Sequence, residues 1–187
     1  MHYHETVYGD LLYPPPPPYG YYIHIGFIEQ SGVVQSIQVR GAIVRQTTPE
    51  RFAQDWHRYS LDQVLTRYGQ PSQVMLHLEP PIEAGSPAGY SLHVFYDQLG
   101  IAMSYLGLAN GETMIQACPV FEQMTGIGLW LQACEEEFPL VEHVIAPDVM
   151  GYFRSLEEAT GMSLETFYEI FRNPDSRVCL EGPPTFP

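Results

Sequence analysis

The sequence predicts an α+β fold: an antiparallel sheet from two related β-hairpin units, helices packed on one face, and a helical C-terminal part. Three observations carry this. The stretches IHIGFIEQSGVVQSIQV (23–39) and LHVFYDQLGIAMSYLG (92–107) both alternate apolar and polar residues around a glycine-bearing turn. Between them, PERFAQDWHRY and LDQVLTRY space their apolar residues at helical intervals. From Asp148 onward the periodicity is again helical.

Along the chain, residues 1–20 form an N-terminal segment ending in five consecutive prolines, Pro14–Pro18, which adopt a polyproline II rod. The rod runs directly into a strand and reads as a stiff connector. In the first hairpin Ile23, Ile25 and Phe27 point one way and His24 and Gly26 the other. The motif EQSG supplies the turn, and Val33, Ile37 and Val39 return. A helix over 49–59 follows, with Thr48 as N-cap, Pro49 at the first helical position, and Phe52, Trp56 and Tyr59 as its stripe. A second helix over 61–68 is expected to open on a capping box of Ser60 and Gln63 and to end in a left-handed Gly69. QVMLHLE (73–79) alternates as a strand. The second hairpin turns inward Leu92, Val94, Tyr96, Ile101, Met103 and Tyr105, with DQLG at its turn. Strands are predicted over 113–118 and 127–134. A link, EEEFPLVEHVIAP, separates the duplicated sheet domain (21–134) from the helical part (135–187). There Ser155 and Glu158 form a capping box, Gly161 a stop, and Ser163 opens a helix with Leu164, Phe167, Tyr168 and Phe171 on one face.

The hairpins align residue on residue. Ile23-His24-Ile25 lies over Leu92-His93-Val94, Phe27 over Tyr96, Gly32 over Gly100, and Ser36 over Ser104. Upstream, TVYGDL (6–11) echoes TRYGQP (66–71). Each unit thus reads as helix end, Tyr-Gly cap, connector and hairpin, an internal repeat in which two half-cores complete each other.

Over residues 5–107 this arrangement resembles tandem helix–strand–strand modules of the beta-lactamase inhibitor protein type. It also resembles the single module of the small lipoprotein of the barrel-assembly machinery. The matching elements are LDQVLTRYGQPS and the strands after it. The layout is similar to bacterial envelope lipoproteins as well. The resemblance implies extracytoplasmic protein–protein contact without catalysis, and carries over no catalytic residue. Only seven residues precede Tyr8, against a full helix before Tyr68. The expectation is therefore a reading frame that starts upstream, with the first helix and room for a signal segment in the missing part.

The chain has 22 acidic residues, eight arginines and no lysine, for a formal charge of −14. A basic face for nucleic-acid phosphates is excluded, and an anionic membrane surface is disfavoured. A polar partner is expected to be another protein with cationic character. No apolar run reaches the ~20 residues of a membrane helix. Cys118, Cys134 and Cys179 have no CxxC spacing. One disulfide in an oxidising compartment and three buried thiols in a reducing one both fit.

Candidate chemistry is sparse, and no cofactor is implied. His24, His77 and His93, on strands read as adjacent with their side chains outward, are candidate divalent-metal ligands. His2, His4 and Glu5 form a looser cluster. No cysteine sits in a glycine elbow or at a helix start, and GxSxG, HExxH and phosphate loops are absent. Glu135–Glu137 read as a solvated link rather than an acid–base pair. A binding surface is expected on the outer sheet face, at His24, Ser36, Gln38 and His93, with Val34 beside them and tyrosines for contact area.

Overall fold

The computed structural model describes residues 11–13, 21–30, 33–43, 49–81, 83, 85–132 and 140–185. Thr48, the proline run, Gly32, Cys134, Glu135–Glu137 and the His2/His4/Glu5 cluster lie outside them.

Ten strands and five α-helices follow one another along these residues. They are β1 (Leu11–Tyr13), β2 (Tyr21–Gln30), β3 (Val33–Ile43), α1 (Pro49–Trp56), α2 (Leu61–Tyr68), β4 (Gln73–Glu79), β5 (Ala88–Tyr96) and β6 (Ile101–Ala109). Then come β7 (Ile115–Ala117), β8 (Met124–Gln132), α3 (Leu140–Val144), β9 (Arg154–Ser155), α4 (Leu156–Thr160), α5 (Leu164–Phe171) and β10 (Leu180–Gly182). An eight-stranded antiparallel sheet runs β1-β2-β3-β8-β6-β5-β4-β9, and β7 pairs with β10 in a second, two-stranded sheet. The α+β architecture is the one the sequence predicts.

Alternation sorts the side chains of the large sheet onto two faces. The core face carries Val74, Leu76 and Leu78 of β4, Leu92 and Val94 of β5, Met103 and Tyr105 of β6, and Ile127 of β8, all at most 2 % exposed. Against it pack Phe52 and Trp56 of α1, Val64 and Leu65 of α2, Leu156 of α4, and Phe167 and Phe171 of α5. Each fully buried Leu or Phe there stabilises the fold by ~1.5–3 kcal/mol. Two glycines permit close approach on this face. A Cβ on Gly41 would come within 2.6 Å of the Trp56 ring, and one on Gly107 would collide with Tyr90. The opposite, far face is covered over part of its area by α3 and a 3₁₀ turn at Met150–Tyr152, around Phe95, Ala102 and Trp130.

The local signals divide. Ser155 and Glu158 form the reciprocal capping box, Gly161 is left-handed at φ 73°, and Ser163 Oγ accepts from Thr166 N. At α2 the expected Ser60/Gln63 box is absent. Asp62, one residue into the helix, draws both partners to its own carboxylate: Ser60 Oγ donates to Oδ1 at 2.5 Å and Gln63 Nε2 to Oδ2 at 2.9 Å. Gly69 has φ 82° but ψ −158°, an extended conformation open to glycine rather than the left-handed cap expected. Predicted strand 113–118 shortens to 115–117 and leaves the main sheet. The strand expected at 127–134 runs from Met124 to Gln132.

The aligned hairpins do not pair alike. In the second, Tyr96 opposes Ile101 and His93 opposes Ser104. In the first, Ile28 opposes Ser36 and His24 opposes Arg40. The sequence alignment would set His24 opposite Ser36, four residues away from its partner. The cause is the turn. β2 continues through Glu29 and Gln30 before a two-residue connection, whereas β5 stops at Tyr96 and Asp97–Leu99 form a 3₁₀ turn closed by Gly100 at φ 61°. The hairpins also do not abut, because β8 lies between β3 and β6 and hydrogen-bonds to both.

Candidate functional site

Of the predicted binding residues, β-pairing sets Ser36, Gln38 and His93 on the far face, and the backbone of His24 pairs with that of Arg40. One rung across the sheet reads Met75–His93–Ser104–Gly128–Arg40–His24. Gln38 lies one rung over, opposite Trp130, with Ser36 beyond it opposite Gln132. Ser36 is nearly buried, at 8 % exposure.

His93 departs from the surface role expected of it. It is 7 % exposed, with Phe153 edge-on at 4.9 Å, Phe95 stacked at 6.2 Å and Trp130 at 6.2 Å between ring centroids. The covering turn at 150–153 accounts for this burial. Nδ1 makes a short hydrogen bond with Ser104 Oγ, which is itself 3 % exposed. Burial, then the Arg40 charge, then His77 oppose a proton on the ring, and its pKa falls from 6.5 to about 3. The imidazole is therefore neutral at physiological pH.

The metal-ligand set does not converge. β2 stands four strands from β5, not beside it, so the backbones bearing His24 and His93 are ~19 Å apart at ~4.8 Å per strand. His77 lies on β4, next to β5, but Phe153 contacts both rings, at 5.3 Å from His77 and 4.9 Å from His93. His77 Nδ1 approaches Glu79 Oε1 at 3.4 Å, and burial lowers its pKa against the opposing pull of that carboxylate. Among the described residues no three His, Cys, Asp or Glu side chains gather as a metal site.

Where Gly128 interrupts the rung, a cleft of about 200 Å³ opens on the far face. The small residues of TGIGLW create it: Gly126 and Gly128 present no side chains to this face, and the Trp130 ring folds back over Gly128, where a Cβ would strike it. Arg40, Ala42, His93, Ser104, Leu106 and Trp130 line the cleft. The Arg40 guanidinium lies 5.2 Å from the Trp130 ring centroid. With its amide oxygen turned toward them, Gln38 accepts from Trp130 Nε1 at 2.9 Å and from Arg40. Beside the cleft, Leu106 and Leu108 are 40 % and 58 % exposed.

Sequence reasoning picked out His93 and Gln38 but missed Arg40, Ser104, Leu106 and Trp130 as site residues. A signal for Ser104 exists in the chain, since a turn over DQLG sets position 93 opposite 104. Trp130 and Arg40 meet through the pairing of β8 with β3, between residues some ninety positions apart, which no local pattern reports.

No family model, curated protein or solved structure matches the chain. Among the described residues, no helix is long and apolar enough to cross a membrane. Cys118 and Cys179 form a disulfide, set one rung beyond the Leu180–Ala117 pair of the small sheet.

Proposed function

We propose that this chain is a non-catalytic protein-binding module of the bacterial cell envelope, and that it engages its partner through the far face of the sheet. The observation that carries this reading is the step on that face. Part of it lies beneath α3 and Phe153, and beside the covered part an open cleft adjoins Arg40 and the exposed side chains of Leu106 and Leu108. A tryptophan and a held arginine match the anchors of recognition surfaces, and the exposed leucines add apolar area beside them. The Cys118–Cys179 disulfide supports an oxidising compartment.

The contact between Ser104 and His93 favours a second reading, a hydrolase, and its chemistry argues against it. A general base works best with a pKa near the operating pH, and His93 titrates near 3. Among the described residues no carboxylate touches its ring to orient or support an imidazolium.

The test is crosslinked capture from envelope extract with the wild type and with a Leu106→Asp/Leu108→Asp variant of matched melting temperature. A partner retained by the wild type and lost by the variant supports the reading. An identical captured set from both proteins refutes it. Ester hydrolysis abolished by Ser104→Ala would decide for the hydrolase.

A further inference from the structure

We infer that the C-terminal strap, residues 180–185, is a redox-gated clamp on the outer side of β4: a dithiol that reduces the Cys118–Cys179 bond frees the strap to lift off while the sheet stays folded. The strap is held at both ends. At one end β10 pairs with β7 at Leu180–Ala117, Glu181–Gln116 and Gly182–Ile115, and the disulfide closes this ladder one rung further on. At the other end Thr185 donates its backbone N–H to Leu78 O and accepts from Leu78 N on Oγ1, each at 3.0 Å. β9 pairs with β4 only at Met75 and Leu76, so among the described residues Thr185 supplies the outward partners of Leu78.

The bond is open to exchange where the ends of the strap are not. Cys118 and Cys179 are half-buried and lie outside any strand or helix, whereas Leu180 and Thr185 are 1 % and 7 % exposed. Cys179 follows the exposed Arg177 and Val178, while Cys118 stands between buried Ala117 and Pro119, so the incoming thiolate attacks Cys179 Sγ. The S–S bond breaks and its electron pair leaves on Cys118 Sγ, which takes up a proton. The dithiol's second thiolate then attacks the mixed disulfide and expels Cys179 as a thiolate, which is protonated in turn. The protein gains two electrons and two protons, and the dithiol leaves as its own disulfide. The described ties that remain are the three-residue ladder, the hydrogen bond from Gln116 to Glu181, Leu180 in the core, and Thr185 on Leu78. A two-stranded ribbon that short has little stability of its own in water. The strap therefore opens by a local route, at lower free energy than the eight-stranded sheet, and opening exposes the Leu78 backbone to water. This clamp is independent of the far-face reading, since β7 and β10 pack into the core-side cluster.

The test is native-state amide exchange by NMR on the full chain, oxidised and after dithiothreitol, with alkylation and mass spectrometry scoring the thiols and circular dichroism the fold. The expected result is that Cys118 and Cys179 become alkylated in the folded protein, and that the Leu78 amide loses roughly tenfold or more of its protection on reduction. In the reduced protein Leu78 should also exchange roughly tenfold or more faster than the slowest amides of β5 and β6. Cys118→Ser/Cys179→Ser should reproduce these rates without reductant. A disulfide that resists dithiothreitol until the chain unfolds, or a fold lost on reduction, overturns the inference. So does a Leu78 rate unchanged by reduction, or one that matches the slowest β5 and β6 amides in the reduced protein, since the strap then opens only with the whole sheet.

Discussion

Acid should unfold this protein partly through one buried ring. His93 has a folded-state pKa of about 3 against 6.5 in the unfolded chain, because burial, Arg40 and His77 all disfavour its proton. The sign follows from proton counting. Between pH 6.5 and about 3 the unfolded chain binds one more proton at this residue than the folded one, so stability falls as pH drops through that window. Above about pH 6.5 both states hold the ring neutral and nothing is lost. Each pH unit inside the window removes ~1.4 kcal/mol, so about pH 4.5 lies two units into it and ~2.7 kcal/mol below neutral pH. Carboxylates titrate in the same range, and comparison with His93→Gln isolates the ring. Urea unfolding followed by circular dichroism at about pH 7 and about pH 4.5 gives the stability gap between the two proteins. The gap should shift by ~2–3 kcal/mol in favour of the variant at the lower pH. A gap constant to within ~0.5 kcal/mol would refute both the burial of the ring and its enforced neutrality.

Two further outcomes follow from the C-terminal strap. The Cys118–Cys179 bond spans 61 positions of sequence, for which the loop-entropy relation gives ~4 kcal/mol. A Cys118→Ser/Cys179→Ser protein should melt roughly 10 °C below the wild type by calorimetry, and a difference under ~2 °C would show that the bond constrains little. Gly182→Ala should also destabilise, by ~1–3 kcal/mol in chemical denaturation, because a Cβ there would collide with the Ala159 carbonyl oxygen and press on Leu78. A neutral outcome would mean that β10 does not sit beneath α4.

That strap also protects the sheet. β4 is the last long strand of the large sheet, and its outer side pairs with the two-residue β9 only at Met75 and Leu76. Thr185 takes the next position, donating its backbone N–H to Leu78 O at 3.0 Å and accepting from Leu78 N on Oγ1 at 3.0 Å. An otherwise open edge is closed by the tail, which the disulfide secures to the small sheet.

Elements whose cause is local were legible in the sequence. β4 was read at its observed bounds from alternation alone, and α4 and α5 from their serine caps and glycine stop. Each signal lies within a few residues of the structure it specifies, so neighbouring side chains decide the outcome. Even locally, competition mattered: Asp62 drew Ser60 and Gln63 away from the cap their spacing suggested. The similarity of the two hairpins was visible too, but their registers were not, because the register follows turn length rather than the residues aligned.

The site belonged to the other category. Period-two alternation placed Gln38 and His93 on the outer face. Burial of His93 was decided by Phe153, sixty positions away, and the cleft by β8 inserting two glycines and a tryptophan between the hairpins. Which strand lies beside which depends on the packing of the whole apolar set, to which every segment contributes. The sequence by itself therefore determined the elements with local signals, β4, α4 and α5 among them, and the faces of their side chains, and only the tertiary structure decided which of those faces meet water.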